Sequence, residues 1–292
     1  MSNTILRKTK ISLAVLAGSA VLAAPVQASD IDLSLSGVVQ AYAYLSDDNL
    51  DDDGLEKGER IAAGDVRFHV NASKKVGDYT GYASYRIDAD GLSGTELTSD
   101  SITVGLKGSF GDLAIGEVTK VAGMGELAND MHGFNSDSEQ HIGYSNNFGP
   151  VKVAVTYSPE NNQDQTGLGV QYSAGGITVG AGYDTGKIGD ETLGDESGLI
   201  VGAKYAFGSS SIAVHSGKRD TFKVTAVEGK TSFSGWDLAV TFSSLDNDSD
   251  ITRVQLSTSL AKAITWSTRY ETKSPASGED TSFIRTGFEL SF

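Results

Sequence analysis

The 292-residue chain carries 23 Lys and Arg against 38 Asp and Glu, a formal net charge of −15 at pH 7. So acidic a balance argues against a nucleic-acid partner, and the absence of cysteine removes disulfides and thiolate metal sites. With 35 glycines, four prolines and 11 each of Tyr and Phe, and no Pro/Ser-rich linker, the composition describes one large all-β unit punctuated by turns.

Arg7, Lys8 and Lys10 form a basic stretch, Ile11 to Ala24 an apolar one, and Val26-Gln27-Ala28 a small-residue cleavage pattern. This is the signature of a secretory signal peptide, so residues 1–28 are set apart from the fold and 29–292 are expected to form one domain. The apolar stretch is shorter than the roughly 20 residues that span a bilayer as a helix. Removing three basic residues leaves 20 basic against 38 acidic, a net charge of −18.

Beyond the leader, the chain alternates with period two. Leu33, Leu35, Val39, Ala41, Ala43 and Leu45 share one face of the first strand, with Ser34, Ser36, Gln40, Tyr42 and Tyr44 on the other. Val66, Phe68, Val70 and Ala72 oppose Asp65, Arg67, His69 and Asn71, and the pattern recurs in Tyr79 to Asp88 and Ile102 to Lys107. Later strands centre on Leu113 to Gly116, His141 to Ser145, Val151 to Tyr157, Leu168 to Tyr172, Ile177 to Tyr183, Leu199 to Tyr205, Ser211 to His215, Phe222 to Val227, Trp236 to Phe242, Thr252 to Ser257 and Ile264 to Tyr270. In the tail, Ile284, Thr286, Phe288, Leu290 and Phe292 take one face and Arg285, Gly287, Glu289 and Ser291 the other.

Strands that are apolar on one side and charged on the other suit a barrel surrounded by lipid. Hydrocarbon offers backbone groups no partners, so only helices or closed sheets cross it, and no later stretch is long and apolar enough for a helix. The expectation is a transmembrane antiparallel up-and-down β-barrel of the outer membrane. It has about sixteen strands, although a chain this short leaves fourteen open.

The connections alternate in length. Short turns fall at Lys74 to Asp78, Gly108 to Gly111, Asn146 to Pro150, Ala174 to Gly176, Phe207 to Ser209, Gly229 to Ser234 and Leu260 to Ala263. Between them lie longer acidic or polar loops: Ser46 to Ile61, Ala89 to Thr98, Val118 to Gln140, Ser158 to Thr166, Asp184 to Ser197, Ser244 to Ile251 and Thr272 to Ser282, with Ser216 to Asp220 unusually short. One rim of tight turns and one of long loops is the asymmetry of barrels inserted from the periplasmic side.

Phe110-Gly111-Asp112-Leu113-Ala114-Ile115-Gly116, then a long segment, then Ile142-Gly143-Tyr144-Ser145-Asn146-Asn147-Phe148-Gly149-Pro150-Val151, resembles the trimeric general porins of Gram-negative bacteria. The resemblance implies that Val118 to Gln140 folds into the lumen as a constriction loop. It also implies a homotrimer, and that Phe292 belongs to the insertion signal read by the barrel-assembly machinery. An arginine often follows the glycine matching Gly116 in that family, and here Glu117 stands instead.

A sixteen-strand lumen holds water, so its lining sets selectivity. Arg67, Arg86 and Lys107 point inward from the second, third and fourth strands, and Arg253, Arg269 and Arg285 from the last three. Closure would join them into one basic wall. The loop supplies the opposite sign with Glu117, Glu126, Asp130, Asp137 and Glu139 against Lys120 alone, and a transverse field follows. The bland alternative is that the arginines merely hydrate the lumen and pair with Asp65, Asp88, Glu271 and Glu289.

Asn49, Asp51 and Asp53 followed by Gly54 partly match a calcium loop, but Arg60 stands where the bidentate glutamate is required, and a solvated acidic loop is the simpler reading. Such clusters, with Asp190 to Glu196 and Asp246 to Asp250, would suit divalent ions that bridge to lipopolysaccharide phosphates. No other cofactor is implied.

His215 and Ser216 are adjacent on a strand and face opposite sides, so they form no nucleophile–base pair, and His69, His132 and His141 lack metal-ligand spacing. No catalytic residue is assigned. Outward aromatics including Tyr79, Tyr157, Tyr172, Tyr183, Tyr205, Trp236, Trp266, Tyr270 and Phe288 read as interfacial girdles. Small outward residues Gly37, Ala41 and Ala43 would admit a neighbouring subunit.

The reading is therefore a passive channel for small hydrophilic solutes and ions, not an enzyme. A solute-specific channel for a sugar, peptide or organic acid is the nearest rival, with an outer-membrane hydrolase or a purely structural barrel behind it.

Overall fold

The computed structural model describes residues 31–46, 58–89, 97–118, 121–129, 140–160, 163–185, 197–219, 223–246, 249–275 and 278–292. The leader and the first-loop residues Asn49, Asp51 and Asp53 lie outside them.

Sixteen strands follow in chain order: β1 Asp32–Ser46, β2 Gly58–Val76, β3 Tyr79–Ala89, β4 Leu97–Gly108, β5 Gly111–Glu117, β6 Gln140–Phe148, β7 Val151–Glu160, β8 Gln163–Ala174, β9 Ile177–Thr185, β10 Ser197–Phe207, β11 Ser210–Arg219, β12 Lys223–Phe233, β13 Trp236–Leu245, β14 Ser249–Ala261, β15 Ile264–Pro275 and β16 Thr281–Ser291. Every strand pairs antiparallel with its sequence neighbours, and β1 pairs with β16 to close the ring. Sixteen is the count, and fourteen is excluded.

All seven short connections are two-residue hairpin turns. Gly175-Gly176 (φ 59° and 82°) and Ser234-Gly235 (φ 49° and 82°) have both central residues left-handed, the twist-matched turn that glycine favours. Several expected connections are shorter than read, two of them with a clear physical reason. Gly229 to Phe233 is strand, with Gly229 opposite Val240, because a glycine inside a ladder carries the same letter as a turn without breaking the pairing. The expected loop Ser158 to Thr166 shrinks to residues 161–162, since β7 and β8 keep pairing to Glu160 and Gln163 after the apolar alternation has faded. Outside hydrocarbon a ladder needs no greasy face, so period-two patterning understates strand length.

Alternation puts the apolar side outward. Leu33 is 74% and Ile115 60% exposed on the outer wall, values a water-facing sheet would not tolerate in bulk. Aromatic rings band both ends. Near the turn rim, Tyr79 lies 6.1 Å from Phe110, Tyr205 stacks on Phe207 at 5.5 Å, and Trp236 meets Trp266 edge-on at 5.8 Å.

The seam between β1 and β16 is fastened at its end. Gly37 N donates to Phe292 O at 3.0 Å and Phe292 N donates to Gly37 O at 3.1 Å. The Phe292 ring lies across β1 onto Phe68 of β2, at 6.0 Å between centroids. Gly37 makes this possible, because a Cβ there would come within 2.5 Å of the Phe292 ring and 2.6 Å of the Arg67 carbonyl oxygen. The space expected to admit another subunit at Gly37 is filled by the chain's own Phe292.

Replacing Gly37 with Leu should therefore displace Phe292 and lower barrel stability by about 1–3 kcal/mol. Phe292→Ala should cost about 0.5–1.5 kcal/mol for the lost ring pair. Heat-modifiable gel mobility reads both, and an unchanged transition in Gly37→Leu contradicts the seam packing.

Candidate functional site: a two-sided lumen

One inner wall is basic. Arg253 Nε lies 2.6 Å from Glu271 Oε2, and Arg269 Nε lies 3.4 Å from the same oxygen. Arg269 and Arg285 are directly opposite in the β15–β16 ladder. Each guanidinium also lies against an aromatic face: Arg269 is 5.0 Å from the Phe283 ring centre and Arg285 4.2 Å from that of Tyr42. Tyr44 completes the group, 6.2 Å from Tyr42 and 6.5 Å from Phe283.

Across the seam, Arg86 Nε donates to Asp88 Oδ1 at 2.9 Å, its Nη2 pairs with Oδ2, and Arg67 Nε stands 4.0 Å from the same carboxylate. Lys107 lies 3.5 Å from Asp112 and 4.4 Å from the Tyr82 ring centre. Glu289 accepts from Gln40 Nε2 at 2.9 Å. Pairing with Asp88 and Glu271 thus occurs, but each of these carboxylates serves two arginines. Among the described residues this wall sets six cations against Asp88, Asp112, Glu271 and Glu289, an excess of positive charge.

The opposite wall carries the long loop after β5. Its described part, Val118 and residues 121–129, crosses the inner face of β6 to β12, turning once in a short 3-10 helix, η1 (Ala122–Met124). The wall accommodates it with small inward residues. A Cβ on Gly143 would meet Val118 at 2.9 Å, one on Gly167 would meet Val121 at 2.2 Å, and one on Gly169 would meet the Met124 sulfur at 2.5 Å. Closer still, a Cβ on Gly180 would sit 1.8 Å from the Met124 carbonyl oxygen, and one on Gly202 2.2 Å from that of Gly125. Val121 and Met124 pack on Ala154, and Ala128 packs on Ala213 and Ala226. Gln171 Nε2 donates to the Met124 carbonyl at 3.3 Å.

Buried residues in this hollow barrel cluster on and beside the covered strands, from β10 to β13: Ile200, Val224, His215, Thr241 and Ser243 all have almost no exposure. Beside them Arg219 grips Asp184 with two bonds, Nη1 to Oδ1 at 3.0 Å and Nη2 to Oδ2 at 3.2 Å. The pair reaches across β10 over Gly198, whose Cβ would come within 2.8 Å of both partners.

Of the acidic loop residues, Glu117 stands at the loop's root and Glu126 within the segment lying against the wall, whereas Asp130, Asp137 and Glu139 lie outside the described residues, as do His132 and the cluster Asp190 to Glu196. His215 is buried inward, and Ser216 contacts Thr225 and the Val224 carbonyl on the other side, so the two face apart. Among the described residues no group of His, Cys, Asp and Glu has metal-binding geometry.

Sequence reading missed the Arg219–Asp184 pair and the aromatic backing of the arginines. It also missed the small-residue track, although that signal was present: glycines recur at inward positions in β6 and β8 to β10 and alternate with outward Leu168, Val179 and Val201.

A closed barrel, apolar outside and polar within, with a loop laid along one inner wall, is the architecture of a membrane channel. The chain belongs to the Gram-negative porin family, whose model matches residues 12–277. It is a porin channel, and family and fold alike imply the outer membrane. A triple mutant of the Rhodopseudomonas blastica porin superposes with a TM-score of 0.70 at 15% identity, covering 89% of this chain and 100% of that one. An anion-selective porin from Comamonas acidovorans gives 0.71 at 16% identity, covering 90% and 100%. At this identity the likeness shows the fold. No curated relative matches in sequence at a significant level.

Gly180→Val should push the loop off β9 and weaken its docking by about 1–3 kcal/mol. A raised or noisier single-channel conductance is the expected result. Gly229→Ala, where nothing lies within 4 Å of the added Cβ, should leave the current unchanged and serves as the control.

Proposed function

We propose that this porin passes small hydrophilic solutes and ions by passive diffusion across the outer membrane of a Gram-negative bacterium. The filter is electrostatic, set between the arginine wall and the acidic loop. One observation carries the reading. The loop lies on β6 to β12, centred on β9, and the basic residues lie on β14, β15, β16, β2, β3 and β4, centred on β1. In a ring of sixteen strands β9 and β1 are diametrically opposite.

Opposed charges across a narrow aqueous gap between low-dielectric walls produce a transverse field that orients dipolar solutes and disfavours apolar ones. Acidic mouth loops concentrate cations at the entrance, so cation preference is the proposed sign, moderated by the lumen arginines. Passage needs neither cofactor nor energy source, and no catalytic group is assigned.

The working unit is proposed to be a homotrimer embedded among outer-membrane lipid and lipopolysaccharide and inserted by the barrel-assembly machinery, with Phe292 in its insertion signal. Ala41 and Ala43, small and outward on β1, are where another copy would approach. Calcium at the acidic loops, including Asn49, Asp51 and Asp53, would strengthen lipopolysaccharide contacts, and a calcium-dependent rise in melting temperature tests this.

Planar-bilayer recording of the purified protein should give stepwise conductance; none at all would leave a structural barrel. Neutralising Arg67, Arg86 and Arg285 together to Gln should shift zero-current potentials in a salt gradient toward cations. Unchanged potentials would remove the arginine wall from the filter.

A further inference from the structure

A second polar concavity opens in the lumen away from the arginine seam, between β3 to β7 and the root of the long loop. It has a volume of about 110 Å³ and is bounded by Tyr82, Asp112, Glu117, Ser145, Lys152 and Thr156 among others. Space of that size holds several waters, since one needs roughly 10–15 Å³ by the same measure. A solute of roughly five to ten heavy atoms therefore fits.

The charges in this niche are arranged unequally. Asp112 is occupied: it accepts from Tyr82 Oη at 2.8 Å and lies 3.5 Å from Lys107 Nζ. Glu117 and Lys152 line the same space, yet neither forms an ion pair with the other or with any other described residue, so their charged atoms stand more than 4.0 Å apart. The Glu117 backbone carbonyl accepts from the Thr103 hydroxyl at 2.6 Å.

Glu117 follows Gly116, which has left-handed backbone (φ 112°) near the end of β5, and no side chain but hydrogen fits at Gly116, because a Cβ would be 1.9 Å from the Ile102 carbonyl oxygen. Lys152 reaches it from β7, just past the Gly149-Pro150 turn, and Ser145 and Thr156 supply hydroxyls beside it.

A carboxylate and an ammonium that share one small concavity without neutralising each other present complementary ends to a molecule carrying both charges. We propose that this niche is a binding station for small zwitterions of the α-amino-acid class, with the solute ammonium at Glu117 and its carboxylate at Lys152. The hydroxyls of Ser145 and Thr156 complete the polar shell. The niche sits on the turn-rim half of the lumen, so a solute that has passed the loop meets it next. The inference rests on the lumen being a water-filled solute path, and the experiment separates the two.

Single channels of the full-length protein in potassium chloride are titrated with L-alanine, propionate and propylamine, each current being normalised to that variant's own open level. Alanine should produce saturable current reduction, with propionate and propylamine at least about tenfold weaker, the loss expected when one charged hydrogen bond is missing. Glu117→Gln and Lys152→Met should each weaken the alanine effect about tenfold, whereas Gly229→Ala on β12, remote from the niche, should leave alanine affinity as it was. Open channels that ignore alanine overturn the niche alone, as does an alanine effect that Glu117→Gln and Lys152→Met leave unchanged. Absence of any conductance overturns the channel reading and the niche with it.

Discussion

The structure depends on one constraint: backbone N–H and C=O groups in hydrocarbon must find partners within the protein. A sheet satisfies that only when it has no edge, so the pairing of β1 with β16 is what makes the other fifteen pairings possible in a membrane. Gly37 and Phe292 fasten this joint with reciprocal backbone bonds, and the ring of Phe292 packs over Gly37 toward Phe68. A glycine in a strand usually weakens it. Here it provides the space in which the last residue of the chain locks onto the first strand.

Closure turns the ordinary logic of a protein core inside out. Apolar side chains go outward to lipid, and the interior is free of the need to pack except where the loop after β5 covers it. On that side the wall is lined by Gly143, Gly167, Gly169, Gly180, Gly202, Ala213 and Ala226, and backbone meets backbone at distances no side chain would allow. On the other side the wall is lined by long cations held against Tyr42, Phe283 and Tyr82. The circumference is divided between a half that holds the loop and a half that holds charge, and the pore is what remains between them.

Fixing the arginines against rings has a further effect. A guanidinium on an aromatic face gives up little of its charge but much of its freedom, so Arg269 and Arg285 hold their places although they oppose each other in the ladder. Glu271, shared by Arg253 and Arg269, lowers their repulsion without neutralising them both. The positive charge of this wall is thus a property of packing as much as of composition.

The sequence by itself determined the barrel. Period-two alternation, such as Leu33 and Leu35 against Ser34 and Ser36, encodes which face meets lipid, and the glycine-marked turns encode one tight rim, because both are local consequences of the pleat and of allowed φ values. It also placed Arg67, Arg86, Lys107, Arg253, Arg269 and Arg285 on the inward face, since side-chain direction in a strand follows from parity alone. Tertiary structure decided what lies near what across the lumen. The partnership of Arg219 with Asp184 over Gly198, the course of the loop along β6 to β12 and the niche shared by Glu117 and Lys152 bring together residues far apart in the chain. No period along one strand carries them, because they depend on strand count, register and closure, which are set only when the whole ring has formed.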